Sequence, residues 1–249
     1  MHDLDLFYYQ KTDSTNTRAK LFALSRSAED KSPAVFVTRA QSAGRGTRGR
    51  SFESPEDGGI YFSLLLYPEL YAGEAHLLTC AAAVAVCRAL ESTDQGIMPR
   101  IKWVNDIYLG SKKLCGILTE GECKDNGALR YSVIGIGLNV KKAPHSPEVD
   151  AIMTSLESEG FEVSPTRLVA QIVDELLTLV GDKKSTVEEY RRRSMLIGRE
   201  VEISSCGAVS VERVTDIDDE CALITEDENK NKKRYISGDV KIFPKKEDN

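Results

Sequence analysis

The sequence predicts an α+β fold: a larger domain over residues 1–196 that mixes strands and helices, then a small all-β domain over 197–249. Two observations carry this. Up to about residue 196, short β-rich runs and hairpins are mixed with helices but lack the regular alternation of a doubly wound sheet. Beyond about Gly198, EVEIS, AVSVERVTDID, CALITE and KRYISGDVKIFP are β-like runs parted by Gly, Asp and Asn/Lys turns, compatible with a small barrel.

The elements follow in order. LDLFYYQ alternates apolar and polar residues as a strand does, then runs into TDSTNTRAKLFALS, where Asp13, Ser14, Thr15 and Asn16 are all good N-cap residues for a helix. AVFVTR (34–39) and GGIYFSLLLY (58–67) read as strands, so RAQSAGRGTRGR between them is a loop. EAHLLTCAAAVAVCRALE (74–91), apolar on most sides, predicts a helix buried against a sheet. RIKWV, IYL, the GSKK turn and LCGILTE read as hairpin strands, and YSVIGIGLNV (131–140) continues the β content. A proline-bearing loop, KKAPHSPEV, precedes the amphipathic helix PTRLVAQIVDELLTLV (165–180), with Pro165 at its start and Gly181 after its end.

Composition is that of an ordinary globular chain, and a net charge of -6 argues against a protein whose main work is gripping nucleic-acid phosphates. The apolar run LLTCAAAVAVC is too short to cross a bilayer, and the start MHDLDLFYY lacks the features of a signal peptide, so a cytoplasmic address without membrane contact is expected. The six cysteines contain no C-x-x-C pair and read as reduced thiols serving as small core residues. His2, His76 and His145 are too isolated to suggest a zinc site, and the tail KKEDN reads as frayed.

Against that acidic background the loop at 39–50 needs its own explanation. It holds four arginines and three glycines and no acid. Glycines let backbone amides approach an anion, and the guanidinium forks of Arg45, Arg48 and Arg50 suit carboxylate and phosphate. The plain alternative is a solvated basic turn. In RIKWVNDIYLGSKKLCGIL, Lys102, Asn105, Asp106, Lys112 and Lys113 stand among apolar strand residues, so they either share a polar site or simply point outward. Asn and Asp oxygens suit Mg²⁺. The glycines of GIGLN at 135–139 mark close approach by a ligand or a bulge. Ser14, Thr15 and Asn16 offer more polar groups than one cap uses, either for capping or for recognising a urea or amide.

Together DSTN (13–16), QSAGRGTRGR (41–50), KWVND (102–106), KLCGIL (113–118) and GIGLN (135–139) resemble the biotin protein ligases, in the family's order. The resemblance implies a mixed-sheet catalytic domain related to class II aminoacyl-tRNA synthetases, binding biotin and ATP, followed by an SH3-like barrel. It implies that biotin is activated as biotinyl-5′-AMP with Mg-ATP and passed to a lysine of a biotin carrier domain in a carboxylase or decarboxylase. By position it assigns Lys113 and Arg45 to catalysis. Ser14, Thr15, Asn16, Gln41, Gly44, Arg45, Gly46, Thr47, Lys113 and Gly116 fall to biotin. Arg48, Arg50, Phe52, Lys102, Asn105, Asp106 and Asn139 fall to ATP, with Asn105 helping to place Mg²⁺.

Three positions depart from the family pattern: Thr47 for arginine, Phe52 for tryptophan and Val104 for proline. Thr47 removes a cation over the adenylate. With DSTN beginning at residue 13, the winged-helix module of the family's repressor branch has no room, so DNA binding is not expected; the expected state is a monomer or homodimer. The rival readings are a lipoate or octanoate ligase or transferase, which pyrophosphate release with each acid separates, and a non-catalytic RNA- or protein-binding module. Lys113→Ala would leave binding by such a module intact while abolishing adenylation by a ligase.

Overall fold

The computed structural model describes residues 4–27, 29–144, 146–205 and 207–243; His2, His145, Cys206 and the KKEDN tail lie outside them. The first sheet has seven strands, β1 Asp5–Tyr9, β2 Ala34–Thr38, β3 Gly59–Leu66, β4 Arg100–Lys102, β5 Asp106–Leu109, β6 Lys112–Cys123 and β7 Leu129–Asn139, in the order β1-β2-β3-β7-β6-β5-β4. Only β1 and β2 run parallel, which makes the sheet mixed.

Period-two alternation divides this sheet into two chemistries. On β3 and β7, Ile60, Phe62, Leu64, Ile134, Ile136 and Leu138 face the main core. The alternate residues face the other way, toward helix α1 Thr15–Ser25, and there Phe36, Leu65 and Val133 build a second small core with Ala19. Helix α2 Ala75–Thr93 covers the main-core face, flanked by α4 Pro165–Val180 and α5 Lys183–Arg193. Its all-round apolar sequence follows from having packed neighbours on most sides. With its preceding turn, this helix spans Ala72–Thr93 and is long and apolar enough to cross a membrane, more than the 11-residue run indicated, yet most of it is buried in the fold.

Two short helices escape the sequence reading. In α3 Pro147–Ile152 no residue is buried, so no apolar period announces it. In α5 the buried set is only Thr186, Val187, Tyr190 and Arg193, and the Arg193 guanidinium is held by Glu91 and Glu189 at 2.7 and 2.8 Å.

The second sheet is antiparallel, with strands β8 Glu200–Ser205, β9 Ala208–Ile217, β10 Leu223–Glu226, β11 Lys232–Tyr235 and β12 Asp239–Ile242 in the order β11-β10-β9-β8-β12. Its apolar face (Val201, Ile203, Val214, Ile217, Leu223) joins the main core rather than forming one of its own. Trp103 stitches the two regions, its Nε1 donating to the Cys221 carbonyl at 3.0 Å. Cys80, Cys87, Cys115 and Cys221 are buried free thiols, as expected; Cys123 is exposed, at the far end of β6 after a register shift.

Candidate active site

The α1 face of the sheet carries the site, and its floor follows from strand register. One row across the sheet reads Tyr61, Gly137, Gly116, Asp106, each residue paired with the next. A neighbouring row reads Ser63, Gly135, Leu118. A Cβ on Gly137 would lie 2.5 Å from the Phe52 ring, and one on Gly135 would lie 2.2 Å from Asn16 Oδ1. The glycines of GIGLN therefore serve close approach, by Phe52 and Asn16 in this state.

A bulge aims the lysine. Between Ile107 and Tyr108 the register of β5 against β6 slips past Leu114, so Leu114 and Cys115 both enter the core and Lys113 turns onto the glycine face. There its Nζ lies 2.6 Å from Asp106 Oδ1, with both side chains largely shielded. Asn105 clamps the adjoining strand, its Nδ2 donating to the Ile117 carbonyl at 2.8 Å and its own carbonyl accepting from Ile117 N.

The start of α1 forms a polar wall. Ser14 occupies the N-cap position but makes no side-chain capping bond, which leaves its hydroxyl on the cavity. Thr15 donates from its backbone N to Gln41 Oε1 at 2.9 Å. Asn16 donates through Nδ2 to Glu120 at 2.8 Å and to the Leu118 carbonyl at 3.2 Å, and its Oδ1 accepts from Ser63 at 2.6 Å. Both amide hydrogens and one of the two acceptor positions of Oδ1 are used, which fixes the orientation of the amide and leaves one acceptor position free.

The glycine-arginine segment folds over this floor as a narrow hairpin, Phe52 N donating to the Gly44 carbonyl and Gly46 N to that of Arg50. Arg48 and Gly49 turn it in the left-handed region, at φ 57° and 74°. Its cations find acids far away in sequence: Arg45 pairs with Glu120 at 3.0 Å, Arg48 with Asp239 at 3.0 Å, and Arg50 also with Asp239. Arg39 stays outside, paired with Asp57.

The cavity enclosed is about 120 Å³, lined by Ser14, Thr15, Asn16, Gln41, Arg45, Gly46, Thr47, Arg50, Phe52, Asn105, Asp106, Lys113 and Gly116 among the residues singled out from sequence. That is smaller than the roughly 300–1,000 Å³ of sites that hold small molecules, so admitting one requires Phe52 and the hairpin to lift off the glycines. Gly44 packs behind the hairpin against the Phe52 carbonyl, and Arg48 turns to Asp239. Lys102 lines an adjoining cleft with Arg50, Tyr108 and Asp239, where burial lowers its pKa despite the charge of Asp106. Asn139 is buried, donates to the Thr154 carbonyl at 3.0 Å and borders a separate cleft with Lys112 and Lys141.

Ser63, Glu120 and Asp239 were missed. Ser63 left a signal, as the lone small polar side chain in an otherwise apolar and aromatic strand. Glu120 continues the glycine-face alternation of 116 and 118. Asp239 left none, because only tertiary packing brings the second sheet here.

The model of the biotin/lipoate A/B protein ligase family matches residues 8–139. The bifunctional ligase/repressor BirA of Bacillus subtilis is 31% identical over 248 residues, covering 95% of this chain and 74% of that protein. The biotin–[acetyl-CoA-carboxylase] ligase of Mycobacterium tuberculosis is 31% identical over 86% of this chain and 80% of its own length. In fold, the chain is similar to the biotin protein ligase from Aquifex aeolicus in complex with biotin and ATP, with TM-score 0.79, 24% identity, and coverage of 96% and 99% of the two chains.

Proposed function

The chain belongs to the biotin/lipoate A/B protein ligase family, and from that premise we infer that it is an ATP-dependent biotin ligase acting on a carboxyl carrier protein. In the first step a biotin carboxylate oxygen bonds to the α-phosphorus of ATP as the bond to pyrophosphate breaks, giving biotinyl-5′-AMP. In the second the ε-amine of a carrier lysine attacks the acyl carbon, AMP leaves, and an amide forms with loss of a proton.

One observation carries this reading: a single glycine-floored basin joins the polar wall of Ser14, Thr15, Asn16 and Gln41 to the cations Arg45, Arg50 and Lys113. A ureido ring suits the wall, and a carboxylate meeting a triphosphate suits the cations, which stabilise crowded negative charge without a protein nucleophile. Lys113 and Arg45 act at the reacting carboxylate and α-phosphate. Gly46, Thr47 and Gly116 complete the biotin side, with Gly44 shaping the hairpin behind them. Arg50, Phe52, Asn105 and Asp106 face the nucleotide, which extends toward the clefts of Lys102 and Asn139; Arg48, turned to Asp239 in the empty site, joins the ATP side only when the hairpin moves. A lipoyl or octanoyl chain would set apolar atoms against the wall and offer no hydrogen bond to the Ser14 hydroxyl or to the free acceptor position of Asn16.

Magnesium enters with ATP. Among the described residues no group of three or more His, Cys, Asp or Glu side chains is placed to hold a metal. That fits an ion carried by phosphates, which needs only one or two protein oxygens. Asn105 fits the role: Ile117 takes its Nδ2, leaving Oδ1 for the ion, whose charge would offset that of the phosphates.

The reading divides the chain at 196/197, just before the second sheet. The buried free thiols suit the reducing cytoplasm. It assigns no DNA binding to these residues, since the chain is acidic and the hairpin arginines already face carboxylates. A monomer or homodimer is the proposed state. Pyrophosphate release by purified protein given ATP with biotin, lipoate or octanoate in turn tests the reading: release with biotin alone is expected, and release with lipoate but not biotin overturns it.

A further inference from the structure

Glu120 has no part in the chemistry described above, yet it is the most heavily engaged carboxylate at the basin. Its Oε2 accepts from Asn16 Nδ2 at 2.8 Å and from Arg45 at 3.0 Å, and its Oε1 pairs with Lys20 Nζ at 2.8 Å. Burial alone would raise its pKa, but the bonds from Lys20 and Asn16 and the charge of Arg45 outweigh it and hold the pKa below the usual carboxylate range.

We propose that Glu120 is a positioning residue that holds Arg45 in the empty site and surrenders it to the incoming biotin carboxylate, one carboxylate replacing another. The inference rests on the biotin-ligase reading. Its basis is the separation of the three donors. Lys20 and Asn16 lie one turn apart on α1 and keep Glu120 fixed and charged whatever the hairpin does, so only the Arg45 contact breaks when the hairpin lifts. Arg45, 40% exposed, is thus never left without a carboxylate, and its transfer costs the ligand the energy of an ion pair that already exists. Glu120 therefore weakens binding of the acid while holding the hairpin over the floor.

The test compares biotin with biotinol, in which the carboxylate is an alcohol, by equilibrium binding to wild-type protein and Glu120→Gln. Glutamine keeps an oxygen for Asn16 and removes the charge that competes for Arg45. A half-exposed pair of this kind predicts about two- to fivefold tighter biotin binding in the variant, with biotinol unchanged. In an Arg45→Met background the same substitution should lose most of that gain.

Equal weakening of both ligands would show that Glu120 only builds the wall, and would overturn the proposal. So would no change in either ligand, or a gain that persists undiminished without Arg45. If Glu120→Gln does not fold, Glu120→Asp shortens the reach to Arg45 and must shift the biotin-to-biotinol ratio in the same direction; an unshifted ratio is again a refutation. Failure of the wild-type protein to bind either compound is a different result, because it removes the biotin-ligase reading itself.

Discussion

Asp239, in the second sheet, closes an ion pair with Arg50 of the glycine-arginine hairpin, 189 residues earlier in the chain. The same Oδ2 accepts from Arg48 at 3.0 Å, so one carboxylate restrains two arginines, one within the left-handed turn and one directly after it. Both arginines are about half exposed, and each such pair contributes roughly 0–1 kcal/mol. Asp239→Asn should therefore barely move the melting temperature while freeing the hairpin. Limited trypsin digestion at Arg45, Arg48 and Arg50 should become several-fold faster, and Mg-ATP should restore protection. An unchanged cleavage rate would mean that Asp239 does not restrain the hairpin.

Gly135 sets the second prediction. A methyl group there would lie 2.2 Å from Asn16 Oδ1 and 2.9 Å from its Cγ, so Gly135→Ala must push Asn16 off Ser63 and Glu120. Misplaced hydrogen bonds of this kind cost about 1–3 kcal/mol, which raises KM for biotin on the order of tenfold or more. The KM for ATP should change little, since the partners of Asn16, namely Ser63, Leu118 and Glu120, include none of the residues assigned to ATP. A variant in which both constants rise equally would point to general collapse of the sheet face.

How far the sequence exposes this arrangement depends on the range of the interactions. The strands and α2 and α4 are legible because burial on one or more faces writes a short period into the chain. The polar wall, the hairpin and the KWVND and KLCGIL segments are legible as clusters of unusual residues. The aim of Lys113 is not, because strict alternation places it with Cys115 on the core face and only the bulge at Leu114 reverses it. Nor are Glu120 and Asp239 legible as partners of the arginines, since both pairings are made by sheet packing across 75 residues or more.

Glu212 gives a pH prediction in the second sheet. Its side chain is fully buried; burial alone would raise its pKa, but bonds from Lys233, Ser210, Thr225 and Tyr235 bring it down to about 2. The folded value is therefore below the unfolded one, so the stabilisation is complete above the ordinary glutamate range and is lost as pH falls through about 4.5 toward 2. A depression of this size corresponds to on the order of 3 kcal/mol. Glu212→Gln should lose about that much at pH 7 and show a flatter loss of stability between pH 4.5 and 2, measured by denaturant unfolding. A variant whose stability falls with pH as steeply as wild type would assign the acid sensitivity elsewhere.

Thr47 lines the basin beside Arg45 and Arg50, between the wall that suits the ureido ring and the cations that suit phosphate. Its hydroxyl can donate one neutral hydrogen bond to an adenylate, where an arginine would add a fixed charge and a forked donor. The hairpin has no third basin-facing cation to hold the intermediate, because Arg48 turns away to Asp239 and Arg39 pairs with Asp57. Retention of biotinyl-5′-AMP then rests on Arg45, Arg50 and Lys113, each of which already has a carboxylate partner in the empty site, Glu120, Asp239 and Asp106 in turn. A charged hydrogen bond contributes about 1.5–3 kcal/mol, so Thr47→Arg should slow release of the intermediate by roughly ten- to a hundredfold. The off-rate of preformed biotinyl-5′-AMP measures this without interference from carrier transfer. Release from Thr47→Arg as fast as from wild type would show that position 47 does not govern how tightly the adenylate is kept.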